Sequence, residues 1–287
     1  MSAVPQHRTA LDTIVDKAGD VSVLPQVVYK VIELTGKPSV AAIDVERVVS
    51  VDPGFSTRVL QLVNSAYYCL PKQVSSIKDA VMFIGFNHIR QLAMTIGAFD
   101  LFLGKKDKAS MRRRVWWRHS LDTAAAARAL AGEYPDANPE EAHAAALLHD
   151  LGKSLLDRYA EVPYDEVEAL IAKGTSGLEA EKLATGTDHA EAGKAVAQNW
   201  RFPSLLVESI GHHHVPGPDM DHPQVCALVA VANAFAHVIE DEDQRDPFDA
   251  VPEWASLVLS MDRDTALRLF EASAEAVEQT KSLTGVL

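Results

Sequence analysis

The sequence predicts an all-α protein, on three observations. No stretch sustains the apolar–polar alternation of a half-buried strand. Apolar residues recur instead at helical spacing, as in Val27, Val28, Val31 and Ile32. Proline and glycine fall at the edges of these patterns, where they start or stop helices.

Taken in order, Leu11, Ile14 and Val15 mark a first helix, and Leu24-Pro25 opens a second through Leu34. Ser39 is placed to cap a third that carries Ile43, Val45, Val48 and Val49 and stops before Asp52-Pro53. Pro53 suits the first turn of a fourth with Val59, Leu60, Leu62 and Val63, ended by Asn64-Ser65-Ala66. Residues 67–71 read as a loop. Ser75 or Ser76 then starts a helix through Phe83, which Gly85 breaks before a longer one with Ile89, Leu92, Ala93, Ile96 and Phe99.

Residues 104–114, GKKDKASMRRR, are the one basic polar shift and read as a solvated junction between two lobes. A long helix follows from Val115 to Ala131, and its Trp116 and Trp117 read as core packing. The run Ala142-His143-Ala144-Ala145-Ala146-Leu147-Leu148-His149-Asp150-Leu151-Gly152-Lys153 is helical by composition and reads as a packed central helix. Two short amphipathic helices are expected over 163–172 and 178–185. Thr187 or Asp188 caps a helix with His189 in its first turn, and Pro203 starts another that runs into Gly211-His212-His213-His214. A Pro/Gly loop over 215–223 precedes an apolar helix from Val225 to Ile239, an acidic loop over 240–246, and one or two closing helices.

Composition narrows the classes of function. A chain of 287 residues with 47% hydrophobic and 23% charged residues can bury a large core. Its 27 basic and 40 acidic side chains leave a net charge of −13, which argues against a nucleic-acid backbone or an anionic membrane as partner. Cys69 and Cys226 have no metal-like spacing and read as free thiols in a reducing compartment. No continuous apolar run reaches a membrane span, and the first residues lack the build of a signal peptide. A cytoplasmic location is expected.

The chemistry concentrates in the histidines. On one continuous helix, His149 and Asp150 would sit about 100° apart, with Lys153 on the same side. An imidazole, a carboxylate and an ammonium on one buried face form either a paired polar core or a binding site. Of eleven histidines, nine lie from His119 onward, several at helix ends. Imidazole and carboxylate without a nearby thiolate suit iron, manganese, zinc or nickel better than a structural thiolate zinc site. His143 reads as packing or surface, His7 and His88 as surface, and His214 as an exposed helix-end residue or a substrate group.

The series His119, His149-Asp150 with Leu151-Gly152-Lys153, His189 and His212-His213 resembles the metal-ligand order of the HD superfamily of metal-dependent phosphohydrolases. Leu24-Pro25, Asp52-Pro53, Asn64-Ser65-Ala66 and Ile84-Gly85 are similar to the N-terminal lobe of its HDOD subgroup, and the resemblance covers about residues 15–240. It implies a multi-helix HD-type bundle with an N-terminal helical lobe. The division would be an HDOD-like lobe over 1–104 and an HD-like lobe over 105–287, or one continuous HDOD domain over about 15–240. By the same resemblance His119, His149 and Asn233 would hold one divalent ion, Asp150 would bridge to a second, and His189, His212 and His213 would complete that site. Lys153 matches a phosphate-contacting lysine of the related HD-GYP phosphodiesterases.

Two departures bear on activity. Asn233 stands where the family has its last aspartate, so the first ion would lose a charged ligand. The Gly-Tyr-Pro loop of HD-GYP proteins is replaced by His214-Val215-Pro216-Gly217-Pro218, which argues against cyclic di-GMP hydrolysis. The resemblance therefore implies a bacterial signalling or regulatory module that binds metal and acts on another signalling protein or a nucleotide. The alternative is a metal-dependent phosphohydrolase acting on a nucleotide or other phosphoester, with Asp150 and Lys153 in the chemistry.

Overall fold

A computed structural model of the chain describes residues 9–19, 26–37, 39–65, 68, 70–103, 109–240 and 246–284. Helices and their connections make up all of it, with no strand among the described residues. The N-terminal part consists of α1 (Ala10–Gly19), α2 (Gln26–Thr35), α3 (Ala42–Val49), α4 (Pro53–Val63) and α5 (Ile77–Leu103). Asp52 caps α4 by accepting from the Phe55 amide at 2.9 Å, with Pro53 in the first turn as the sequence predicts. Asn64 ends α4, and its side chain clasps the backbone of Val74 from both sides, at 2.7 and 2.8 Å. Gly85, at φ 80°, kinks α5 where a β-carbon would be strained.

Two expectations here are corrected. Ser39 does not cap α3: the helix starts two residues later, and Asp44 reaches back to the Ala41 amide at 3.2 Å. The N-cap is Ala41, whose own amide Asp44 holds, and no side chain caps the first-turn amides. The junction 104–114 is not a solvated linker throughout. From Ser110 it is already α6 (Ser110–Ala131), and Arg113, 1% exposed, is bound to Asp157 at 2.5 Å. Arg112 reaches Asp165 at 2.6 Å and Glu168 at 3.3 Å. Those carboxylates come from helices far along the chain, which no local charge pattern reveals. Residues 104–108, Leu24-Pro25, Ala66, Tyr67, Cys69, His7 and 241–245 lie outside the described residues. Cys226 is a buried free thiol.

The C-terminal part is built on α6 and α7 (Pro139–Leu148), whose Ala124, Ala126 and Ala127 and Ala142, Ala144, Ala145 and Ala146 are buried. Small side chains let the two axes approach closely, and α7 is apolar on nearly every face because it is enclosed. Then come α8 (Leu151–Tyr159), α9 (Tyr164–Ile171), α10 (Gly177–Thr185), α11 (His189–Asn199) and α12 (Ser204–His212). The helix α13 (Pro223–Glu240) packs on α6 and α7, followed by α14 (Pro247–Ala250), α15 (Glu253–Val258) and α16 (Arg263–Thr284). Three closing helices form, one more than the pattern suggests, because α14 is a single turn set by Asp246-Pro247. Although α13 is long and apolar enough on average for a membrane span, 67% of its apolar window is buried inside the protein. The N-terminal α1 lies against α8 and α11.

Candidate metal centre

The central run is not one helix. α7 ends at Leu148, His149 caps it, and Asp150 at φ −96°, ψ 11° starts α8. The break has a cause next door. A β-carbon on Gly152 would lie 1.8 Å from the His189 carbonyl oxygen, so α8 meets α11 backbone to backbone and must leave the axis of α7. The His-Asp pair sits at this corner, 0% and 1% exposed, with both side chains inside the bundle.

Asp150 is the hub. Its Oδ1 lies 3.2 Å from His189 Nε2 and 3.6 Å from His213 Nε2. Its Oδ2 lies 3.4 Å from His149 Nε2, 4.0 Å from His119 Nε2, and accepts from Lys153 Nζ at 2.5 Å. One carboxylate oxygen thus faces each half of the cluster.

In the first half, His149 donates from Nδ1 to the Ala146 carbonyl at 2.7 Å, which turns the Nε2 lone pair inward, buried and without a partner. His119 donates from Nδ1 to Glu240 at 2.9 Å, and its Nε2 meets the Asn233 amide oxygen at 2.8 Å. Asn233 is 8% exposed, so the sequence-predicted position does reach the cluster. In the second half, His189 donates from Nδ1 to Glu181 at 2.7 Å, and Glu181 also accepts from the His189 amide and the Tyr164 hydroxyl, at 2.8 and 2.6 Å. His213 donates from Nδ1 to the Ile210 carbonyl at 2.9 Å. The Nε2 atoms of His213 and His214 come within 3.3 and 3.0 Å of His189 Nε2.

His212 and His214 exchange the places the sequence suggests. His212 is the last residue of α12 and turns away, accepting from Lys194 Nζ at 2.9 Å. His214, one residue past the helix cap, swings into the cluster. Metal-ligating atoms of Asp150, His189, His213 and His214 converge within 4.8 Å, as do those of His119, His149 and Asp150. His143 packs in a different cavity, and His88, read as surface, is half-buried with Nδ1 on Ile84 and Nε2 facing Arg128 at 3.1 Å. Trp117 is core, as expected.

Three side chains of the site escape a reading of the sequence. Glu181 sits eight residues before His189, across a loop, and no local pattern links the two. His237, stacked on His119 at 4.3 Å, and Glu240 follow Asn233 by four and seven positions, a single helix face that could have been read.

Electrostatics keeps most of the imidazoles in the ligand form. Burial pushes His149, His213 and His214 down, so they are neutral. Burial also opposes charge on His189, but Glu181 and Asp150 outweigh it and raise its pKa to about 9. Burial works against the Asp150 carboxylate too, yet the Lys153 ammonium and the hydrogen bond from His189 hold its pKa well below the usual range.

These residues fit a divalent cation. Once His189 gives up its Nε2 proton, three Nε2 lone pairs converge there and repel unless a positive charge lies among them, and the buried His149 Nε2 has no hydrogen-bond partner. His119, His149, His189 and His213 each have the outer nitrogen anchored, the usual way a protein aims a metal-binding histidine. The donor set is nitrogen and oxygen, with no thiolate. Above the cluster a cavity of about 480 Å³ is lined by Trp116, Lys153, Tyr164, His189, His214 and His237.

Comparison with known proteins agrees with this architecture. A solved structure from Shewanella amazonensis, a proposed phosphohydrolase, is 25% identical, with 96% of this chain and 99% of that one covered at a TM-score of 0.72. An HDOD domain protein of unknown function from Geobacter sulfurreducens shares the fold at 24% identity, 92% and 97% coverage and a TM-score of 0.68. An uncharacterised Treponema pallidum protein is 26% identical over 243 residues, 84% of this chain. The chain spans only 46% of that relative's length. The HDOD domain family matches residues 21–216, most of the chain and all of the cluster except Asn233, His237 and Glu240. The chain belongs to the HDOD domain family.

Proposed function

We propose that the protein is a metal-binding regulatory HDOD module, in which a divalent ion held at Asp150, His189, His213 and His214 fixes the arrangement of α8, α11 and α12 for a partner. The observation that supports it is the asymmetry around Asp150. The second half has four converging donors braced by Glu181, whereas the first has the uncharged amide of Asn233. A site with one strong and one weak position suits a structural or sensing ion better than paired-ion hydrolysis, which clamps attacking and leaving oxygens together. The partner is another signalling protein or a nucleotide, and cyclic di-GMP turnover is not part of the role.

A second reading, a phosphohydrolase, draws on Lys153 and the cavity above the cluster. A bound ion would supply a hydroxide at neutral pH and polarise a phosphoryl oxygen. Lys153 would bring an ammonium to the charge that develops on phosphate. Tyr164 and Trp116 would wall off the rest of the substrate.

Elemental analysis of untagged protein, followed by a phosphoester panel that includes cyclic di-GMP, separates the readings. About one equivalent of iron, manganese, zinc or nickel and no turnover supports the regulatory module. Two equivalents with turnover above about 1 s⁻¹ supports the enzyme. No metal after soaking removes both.

A further inference from the structure

A second cavity lies on the far side of α6 and α7 from the metal centre. It holds about 460 Å³ where α4 and α5 meet α6, α7 and α16. Leu62, Leu92, Leu121 and Ala276 give it apolar walls from four helices. Its polar groups include Gln91, Thr95, Arg128, Glu140, His143 and Thr280. Apolar walls with polar groups placed among them are the usual form of a small-molecule site.

Gln91 is the informative residue. It is 9% exposed, yet its side-chain carbonyl oxygen has no hydrogen-bond partner. Native proteins rarely leave such an atom stranded without a use. A glutamine amide presents a donor and an acceptor in one plane, and rotation about its last bond exchanges them. That paired edge complements the amino and ring-nitrogen edge of adenine, the pairing glutamine makes when it reads that base.

The charges around the cavity are already matched. Arg128 lies 3.2 Å from Glu140 and 3.1 Å from His88 Nε2. Burial lowers the His143 pKa to about 3, with Arg128 adding to the effect, so the ring is neutral. An anionic ligand would have to displace Glu140 from Arg128, whereas an uncharged one leaves the pair in place.

We propose that this junction cavity is a binding site for an uncharged adenine-type heterocycle, a nucleobase or nucleoside, recognised at its edge by Gln91 and gripped by the apolar walls. The site is separate from the metal centre and does not rest on the function proposed for it. α6 and α7 border both, since α6 carries His119 as well as Leu121 and Arg128, and α7 carries His143 and leads into His149.

The test is calorimetric titration of the full chain, as purified, with adenosine and separately with AMP. Expected is saturable binding of adenosine near one per chain, tighter than AMP, and weakened at least tenfold by Gln91→Leu. That variant removes a stranded polar atom and leaves no cavity, so it keeps its fold. Ala129→Leu, which fills the pocket from α6, loses binding as well while metal content stays unchanged. Absence of saturable adenosine binding overturns the proposal. So does binding that survives both variants, which would place the nucleoside elsewhere, or AMP binding more tightly than adenosine.

Discussion

The two halves of the candidate metal centre share Asp150 but are braced in different ways. On the His189 side, a buried carboxylate, Glu181, holds the imidazole through both its ring and its backbone. On the His119 side, the bracing carboxylate is Glu240, whose side chain is 31% exposed, and the inward oxygen belongs to an amide. Burial makes the first brace rigid and strongly charged in effect, while solvent screens the second. Affinity should therefore be uneven across a centre whose ligand list looks nearly symmetric.

Asp150→Ala breaks the comparison outright, since both halves lose their shared carboxylate. Bound metal should fall below detection by mass spectrometry of the purified protein, with helical content retained. Glu181→Gln should weaken the stronger position by about 10–100-fold, the range for loss of a bracing partner. Competition with a chelator reads this out, and an unchanged affinity would show that Glu181 is only a packing group. Asn233→Asp should move the other way, tightening the weaker position by about tenfold as a charged ligand replaces a neutral one. In a titration, a second equivalent would then bind where wild type takes up one. The smallest effect is expected for His212→Ala, within about twofold of wild type, beside a loss of tenfold or more for His214→Ala.

Proton release sharpens the same contrast. Glu181 and Asp150 keep His189 protonated up to about pH 9, so at pH 7 a cation must displace that proton. Calorimetry in buffers of different ionisation enthalpy should show about one proton released per ion at pH 7 and less near pH 10. The sign follows from a raised pKa: the proton is present below it and gone above it.

The fold was legible because apolar spacing and Pro/Gly punctuation are local properties, and so were Asp52-Pro53 and the break at Gly85. The His-Asp pair was legible because its members are adjacent. The choice among His212, His213 and His214 was not. Three consecutive residues at a helix end point in directions set by where α12 unwinds, and that depends on contacts with Lys194 and Trp254. Glu181 was hidden for a related reason, since its partner lies on the next helix and only the packing of α10 brings them together. Arg112 and Arg113 looked like solvated charge because their carboxylates come from helices that fold back later.

The backbone contact between Gly152 and His189 has a consequence for how this protein tolerates change. Asp150 and His189 stand on opposite sides of a junction with no side chain in it, so their spacing is set by two main chains in contact. Enlarging or trimming apolar residues elsewhere in α8 and α11 alters how firmly the helices are held, but not how near they can come. Stability and the geometry of the centre are to that extent uncoupled: the core can drift in composition, and the protein can lose thermal tolerance, before the histidine leaves the aspartate. Gly152 itself is where that freedom stops, because there even a methyl group would separate the two helices.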